Sequence, residues 1–214
     1  MPLFYTHNIN PNTRLAVWHI AEPDDFFLDK VPVARAITHP HKRLQHLAGR
    51  YLLQYLFPAF PLPLIQIADT RKPYLQDESH HFSISHCGDY AAAIVSTSNR
   101  VGIDIEVPAE RIRKIQHKYL TEYESALLSE HSGTVEISPS VHLLTLAWSA
   151  KETMFKWYGQ GEVDFKKHMH LEKIDRTEAI GVLTASFNKE TALQVQLKYR
   201  FFDGLALSWL ATSP

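Results

Sequence analysis

An α+β fold is predicted by three observations. Apolar residues alternate with period two in short segments on both sides of a stretch after Pro108 whose apolar period is helical. Polar turns rather than crossover helices join many of these segments, which favours hairpins over a doubly wound parallel sheet. With 214 residues, 45% of them hydrophobic and 21% charged, the chain can bury the core of one large domain or two small ones.

Taken in order, residues 15–20 alternate as a strand. Residues 42–57 form an amphipathic helix that stops before Pro58, whose ring and missing N–H cannot continue it. Short strands follow at 65–68 and 81–85. Two more, at 90–96 and 101–106, are joined by the polar turn Thr97-Ser98-Asn99-Arg100. The spacing then predicts helices over 112–119, 122–130 and 141–158, the last ended by Gly159, the residue best suited to a left-handed C′ position. Strands return at 171–174, 179–187, 193–202 and 205–211. One internal echo stands out: Phe82 with Gly88-Asp89 and residues 90–95 resembles Phe201-Phe202-Asp203-Gly204 with residues 205–210, a strand, a Gly/Asp turn and an apolar strand each time.

The formal net charge of −1 excludes a protein whose main partner is nucleic acid, and no basic run or stacking platform suggests otherwise. Charge is uneven locally. Residues 30–68 carry Lys30, Arg35, Lys42, Arg43 and Arg50 with His39, His41 and His46 and no acid, which would suit a polyphosphate, although a solvated basic helix face explains any one of them. The single cysteine, Cys87, rules out an internal disulfide and fits a reducing cytoplasm. Its neighbour His86 points to the opposite strand face, so a Cys-His nucleophile pair is disfavoured. Residues 1–15 lack the apolar core of a secretory signal. The uncharged run 51–68 is broken by Pro58, Pro61 and Pro63, and reads as a helix end followed by a buried connection rather than a membrane span.

Two motifs carry the chemistry. In Gly102-Ile103-Asp104-Ile105-Glu106 the acids are two apart on a strand and share a face, close enough to share one hard cation such as magnesium. Taken alone, an alternating-acid strand is more often a solvated face. In Trp148-Ser149-Ala150-Lys151-Glu152-Thr153-Met154-Phe155-Lys156, residues 148, 152 and 155/156 recur along one side of a helix. Glu152 and Lys156 could be an ordinary i,i+4 pair contributing about 0.3 kcal/mol. The apolar run Leu143, Leu144, Leu146 and Ala147 predicts that this part of the helix is largely buried, and a buried acid needs a partner or a metal.

Together these stretches resemble a 4′-phosphopantetheinyl transferase of the large, monomeric surfactin-synthetase-activating type. The family signature, a G-[IV]-D-[IV]-E strand followed by W-S-x-K-E-x-x-x-K on a helix, is matched at every fixed position. Arg71-Lys72-Pro73 and Phe82-Ser83-Ile84-Ser85-His86 precede it in the expected order, so the resemblance spans residues 42–160. It implies two similar α+β halves packed as a pseudo-dimer with the active site in the cleft between them, a first half 1–106 that binds coenzyme A and ends in the metal strand, and a second half 107–214 that carries the catalytic helix.

The activity implied is that of a holo-[acyl-carrier-protein] synthase. The phosphopantetheine arm of coenzyme A passes to a serine of an apo acyl or peptidyl carrier protein, with release of adenosine 3′,5′-bisphosphate. Coenzyme A is then the co-substrate, Mg2+ the cofactor, and the enzyme a cytoplasmic monomer. Asp104, Glu106 and Glu152 would ligate the ion, Glu106 in some relatives only through water. Lys156 and Lys151 would neutralise the diphosphate. Glu152, or alternatively Glu124, would take the serine proton. Ser85 and His86 would contact the adenine end and 3′-phosphate. Lys72 would hold phosphates, with Arg43, His46 and Arg50 as weaker contributors. One departure from the pattern is Arg71, where the family has Gly before the Lys-Pro pair. A magnesium-dependent phosphohydrolase and a non-catalytic carrier-binding relative are the other classes that a D-x-E strand leaves open.

Overall fold

A computed structural model of the chain describes residues 2–32, 37–131, 139–176 and 179–213. Arg35 of the basic segment lies outside the described residues. The chain divides into two compact units, Met1–Ile105 with Ala211–Pro214, and Glu106–Leu210.

In the first unit, strands β1 (Leu3–Asn10), β2 (Thr13–His19), β5 (His81–Cys87) and β6 (Tyr90–Ser96) form an antiparallel sheet ordered β1-β2-β6-β5. Against it packs helix α2 (Pro40–Leu56), preceded by the short α1 (Asp24–Leu28). Ala48, Leu52 and Leu56 recur every four residues, so α2 presents one apolar stripe to Ala16, Trp18, Ala91, Ala93 and Val95 of the sheet. Gly49 lets the two approach closely: a Cβ there would lie 2.6 Å from Cγ2 of Ile84. Trp18 stacks among Phe26, Phe27 and Tyr51, which anchors α1 to α2. The run after α2 is buried only at Phe60 and Leu62, while Leu64 in the 3-10 turn Leu62–Leu64 is 58% exposed, so this connection is less buried than expected. Among the described residues no helix is long and apolar enough to cross a membrane.

A two-strand hairpin, β3 (Gln66–Ile67) with β4 (Pro73–Tyr74), carries Lys72 at its turn. Arg71 sits in the left-handed region at φ 66, held by its amide donating to the carbonyl of Ala68 at 2.8 Å. A Cβ is disfavoured there by about 1–2 kcal/mol, so glycine would adopt this conformation more readily than arginine. Arg71→Gly is expected to raise unfolding stability by up to about 1 kcal/mol, after the entropy lost by glycine is subtracted, as read from a thermal melt.

Strand β7 (Arg100–Glu106) closes the first unit's chain path. Instead of pairing by backbone ladder with β5, it meets two serine hydroxyls: Ser83 and Ser85 accept from the amides of Ile103 and Ile105, each at 3.3 Å. Both serines are buried.

The second unit holds α3 (Arg111–Tyr119), α4 (Glu122–Glu130), α5 (Val141–Tyr158) and α6 (Phe165–His168), then β8 (Met169–Asp175), β9 (Gly181–Asn188), β10 (Ala192–Phe202) and β11 (Leu205–Thr212) in the order β11-β10-β9-β8. Its core sets Leu143, Ala147, Ala150 and Met154 of α5 against Met169, Leu171, Ala185 and Leu197 of the sheet. The internal echo is a pair of antiparallel hairpins: β5–β6 turns through Gly88-Asp89 and β10–β11 through Asp203-Gly204, with the glycines at φ 55 and 72. Each glycine supplies the left-handed residue that a two-residue turn demands.

Candidate active site

Helix α5 is sharply bounded. The Ser140 hydroxyl accepts from the amide of Leu143 at its start, and Gly159 at φ 75 ends it. In its second half the partly exposed positions are Trp148, Glu152, Phe155 and Lys156, and every other residue between them is buried. The chemical stripe expected from the sequence is thus the open edge of an otherwise enclosed helix. Glu152 itself is half-buried, less enclosed than the apolar run ahead of it suggested.

Trp148 links the two motifs. Its indole N–H donates to Oε1 of Glu106 at 3.2 Å, so the last acid of Gly102–Glu106 is held by a residue one helical turn before Glu152. The indole is held edge-on by Tyr119 and flanked by Phe165. Asp104 is 2% exposed, and its Oδ1 accepts from the Ser85 hydroxyl at 2.8 Å. Both carboxylates are therefore oriented by a donor from a neighbouring element, as metal-binding carboxylates commonly are.

Four of the expected site residues make contacts within the protein. Lys151 is fully buried, and its ammonium lies 2.7 Å from Oε1 of Glu124, 2.6 Å from the carbonyl of Tyr119, 2.9 Å from that of Met169 and 3.0 Å from that of Phe165. Four acceptors exhaust three N–H bonds, so no donor remains for a diphosphate. Burial pushes its pKa down and the Glu124 carboxylate pulls it back up. Glu124, 1% exposed, closes a capping box with Thr121 at the start of α4 and accepts from the amide of Leu171 at 2.9 Å. Both of its oxygens are thus hydrogen-bonded within the fold. The Ser85 hydroxyl donates to Asp104 and accepts from the Ile105 amide, and so orients that carboxylate. Arg43 is paired with Asp24.

A family model described as the 4′-phosphopantetheinyl transferase superfamily matches residues 100–208, more than half of the chain. The chain belongs to that superfamily. Its span runs from β7 through β11 and so contains Asp104, Glu106, Trp148, Glu152 and Lys156. Enterobactin synthase component D of Escherichia coli K12 is 33% identical over 118 residues, 54% of each chain. A putative 4′-phosphopantetheinyl transferase of Haemophilus influenzae is 31% identical over 138 residues, 62% of this chain and 56% of its own. The 4′-phosphopantetheinyl transferase AcpT of Escherichia coli K12 is 31% identical over 123 residues, 55% of this chain and 59% of its own. The chain thus spans about half the length of the curated relatives it matches.

The superfamily match does not reach the residues of the first unit expected to contact the nucleotide. His86 is exposed while its neighbour Ser85 is buried, the two faces of one strand. Lys72 is half-buried beside the positive Arg100, and burial first, then that charge, lowers its pKa to about 8. His46 Nδ1 and Arg50 Nη1 lie 3.0 Å apart on successive turns of α2, and burial lowers the Arg50 pKa. Among the described residues of this phosphopantetheinyl transferase superfamily member, no group of three or more His, Cys, Asp and Glu side chains forms a ready cage for an ion. The contacts that sequence reasoning missed are those of Trp148 to Glu106 and Lys151 to Glu124. The second had a signal, since a lysine in an apolar helical run with a glutamate in a capping box nearby fits a buried pair as well as a phosphate ligand.

Proposed function

We propose that this chain transfers the 4′-phosphopantetheine arm of coenzyme A to a serine of an apo acyl or peptidyl carrier protein. The observation that carries the reading is the 3.2 Å hydrogen bond from Trp148 to Glu106, which joins the last acid of the β7 motif to the stripe of α5. In the reaction the serine Oγ bonds to the β-phosphorus of coenzyme A, the bond from that phosphorus to the bridging oxygen breaks, and adenosine 3′,5′-bisphosphate leaves with the bridging oxygen. The carboxylates of Asp104, Glu106 and Glu152 are hard oxygen donors that would hold one Mg2+, completed by water and diphosphate. That ion would supply charge neutralisation at the diphosphate oxygens. Glu152 takes the serine proton. Lys156, the half-buried lysine on the open stripe, offers a mobile positive charge to the diphosphate and the leaving bisphosphate. His86 and Lys72, with His46 and Arg50 as weaker contributors, bind the nucleotide end.

Incubation with coenzyme A, Mg2+ and apo carrier proteins, followed by intact mass spectrometry, tests the reading. A mass gain of one phosphopantetheine on the carrier supports it. Hydrolysis of coenzyme A without carrier modification would identify a phosphohydrolase, and coenzyme-independent carrier binding alone a non-catalytic relative.

Lys72 gives the binding step a pH signature. An amine with a pKa of about 8 is charged below that pH and neutral above it, so its attraction for a phosphate is full near pH 7 and fades as pH rises. Adenosine 3′,5′-bisphosphate, already fully ionised above pH 7, is the suitable probe. Its dissociation constant is expected to rise several-fold between pH 7 and 9.5, with the midpoint moved above 8 by the bound phosphate, and Lys72→Met is expected to flatten that profile. A flat wild-type profile would remove Lys72 from the site.

A further inference from the structure

The stripe of α5 is bracketed by two polar nodes that have no part in the chemistry just described. On one side, about 100° around the helix from Glu152, lies Lys151 with its four acceptors. On the other side, about 60° and 100° around, lie Ser149 and Thr153. Their hydroxyls meet that of Ser208 on β11: Ser208 Oγ is 2.8 Å from Ser149 Oγ and 2.6 Å from Thr153 Oγ1, and Thr153 Oγ1 lies 3.2 Å from the carbonyl oxygen of Ser208. All three residues are 0% exposed. Three hydroxyls with no access to water are satisfied by one another and by the Ser208 carbonyl, contacts that tie α5 to β11 at one side of the helix.

We infer that Ser149, Thr153 and Ser208 are positioning residues that fix the rotation of α5 about its own axis and thereby the placement of Glu152, Lys156 and Trp148. The argument is one of leverage. A side-chain end stands about 5.5 Å from a helix axis, so a rotation of about 10° moves it by about 1 Å. Displacement on that scale breaks a 2.6 Å hydroxyl contact and also carries the carboxylate of Glu152 out of reactive geometry. An apolar face alone does not supply this precision, because dispersion contacts tolerate small rotations that directional hydrogen bonds do not. The consequence for catalysis rests on the transferase reading; the consequence for the position of Trp148 does not.

Thr153→Val removes the hydroxyl and keeps the shape, and Thr153→Ser restores the hydroxyl. Two readouts are taken on each: the transfer kinetics, and the indole 1H–15N resonance of Trp148, assigned with Trp148→Phe, which reports the hydrogen bond to Glu106. For Thr153→Val the expectation is a fall in kcat of about tenfold with the KM for coenzyme A within about twofold, together with a displaced Trp148 indole resonance, both recovered by Thr153→Ser. An unchanged indole resonance and unchanged kcat, with only a lowered Tm, would overturn the inference and leave the node as ordinary packing. A wild-type protein that transfers nothing would overturn the transferase reading instead, and the indole resonance would still decide the positioning role.

Discussion

Asp104→Asn is expected to lower magnesium-dependent transfer by about a hundredfold or more while leaving the melting temperature nearly unchanged. Loss of even a group that orients a metal ligand weakens such sites 10–100-fold, so loss of the ligand's own charge should cost at least as much. The side chain is 2% exposed at the end of β7, and its Oδ1 already accepts the Ser85 hydroxyl. Asparagine keeps the volume and an oxygen for that serine, which is why it is a cleaner test than alanine, whose cavity and orphaned hydroxyl would add a stability loss. The rate is read from the mass shift of the carrier at several Mg2+ concentrations. A true ligand loss appears as a raised magnesium requirement that saturating metal only partly repairs. Wild-type rates at every concentration would remove Asp104 from the ion site, and with it the reason for a buried acid on this strand.

The parts of the fold legible in the sequence are those with strong local punctuation. Helix α5 could be bounded because Ser140 and Gly159 are a hydroxyl cap and a left-handed stop, and α4 because Thr121 and Glu124 form a capping box. Strand β6 is framed by the Gly88-Asp89 turn and by Thr97, whose amide donates to the carbonyl of Asn12. Strand β1 escaped notice because it is an edge strand whose alternate positions are exposed, and its Thr6, His7, Asn8 and Asn10 mask the apolar signal. Helix α1 has five residues, too few to show a period. At the site, the two motifs were readable because their residue types repeat at strand and helix spacings. The division of labour between Lys151 and Lys156 was not. They are five positions apart, about 140° around the helix, and only the surrounding elements determine which of those directions is enclosed.

That division makes the second large prediction one of stability rather than catalysis. Lys151→Met is expected to lower the unfolding free energy by about 3–5 kcal/mol, because it leaves the Glu124 carboxylate, 1% exposed, without its partner in a medium that cannot solvate it. For a chain of this length that corresponds to a fall in Tm of about 10 °C or more. The ammonium also joins the carbonyl of Tyr119, in the last turn of α3, to those of Phe165 and Met169, so its loss frees two buried carbonyls and a partly buried one at once. Neutralising the other member should recover much of the loss. In Lys151→Met/Glu124→Gln the single amide oxygen can accept from Thr121 or from Leu171 but not from both, while the side chain carries no charge, and an uncharged pair of similar volume is often no worse than the ion pair it replaces. The double variant also separates the two roles a lysine can have in this motif. A positioning and structural lysine predicts that the refolded double variant binds coenzyme A within about threefold of wild type, as measured by calorimetry. A phosphate-binding lysine predicts instead that coenzyme A affinity stays lost after the fold has been restored, and that result would return Lys151 to the open stripe beside Lys156.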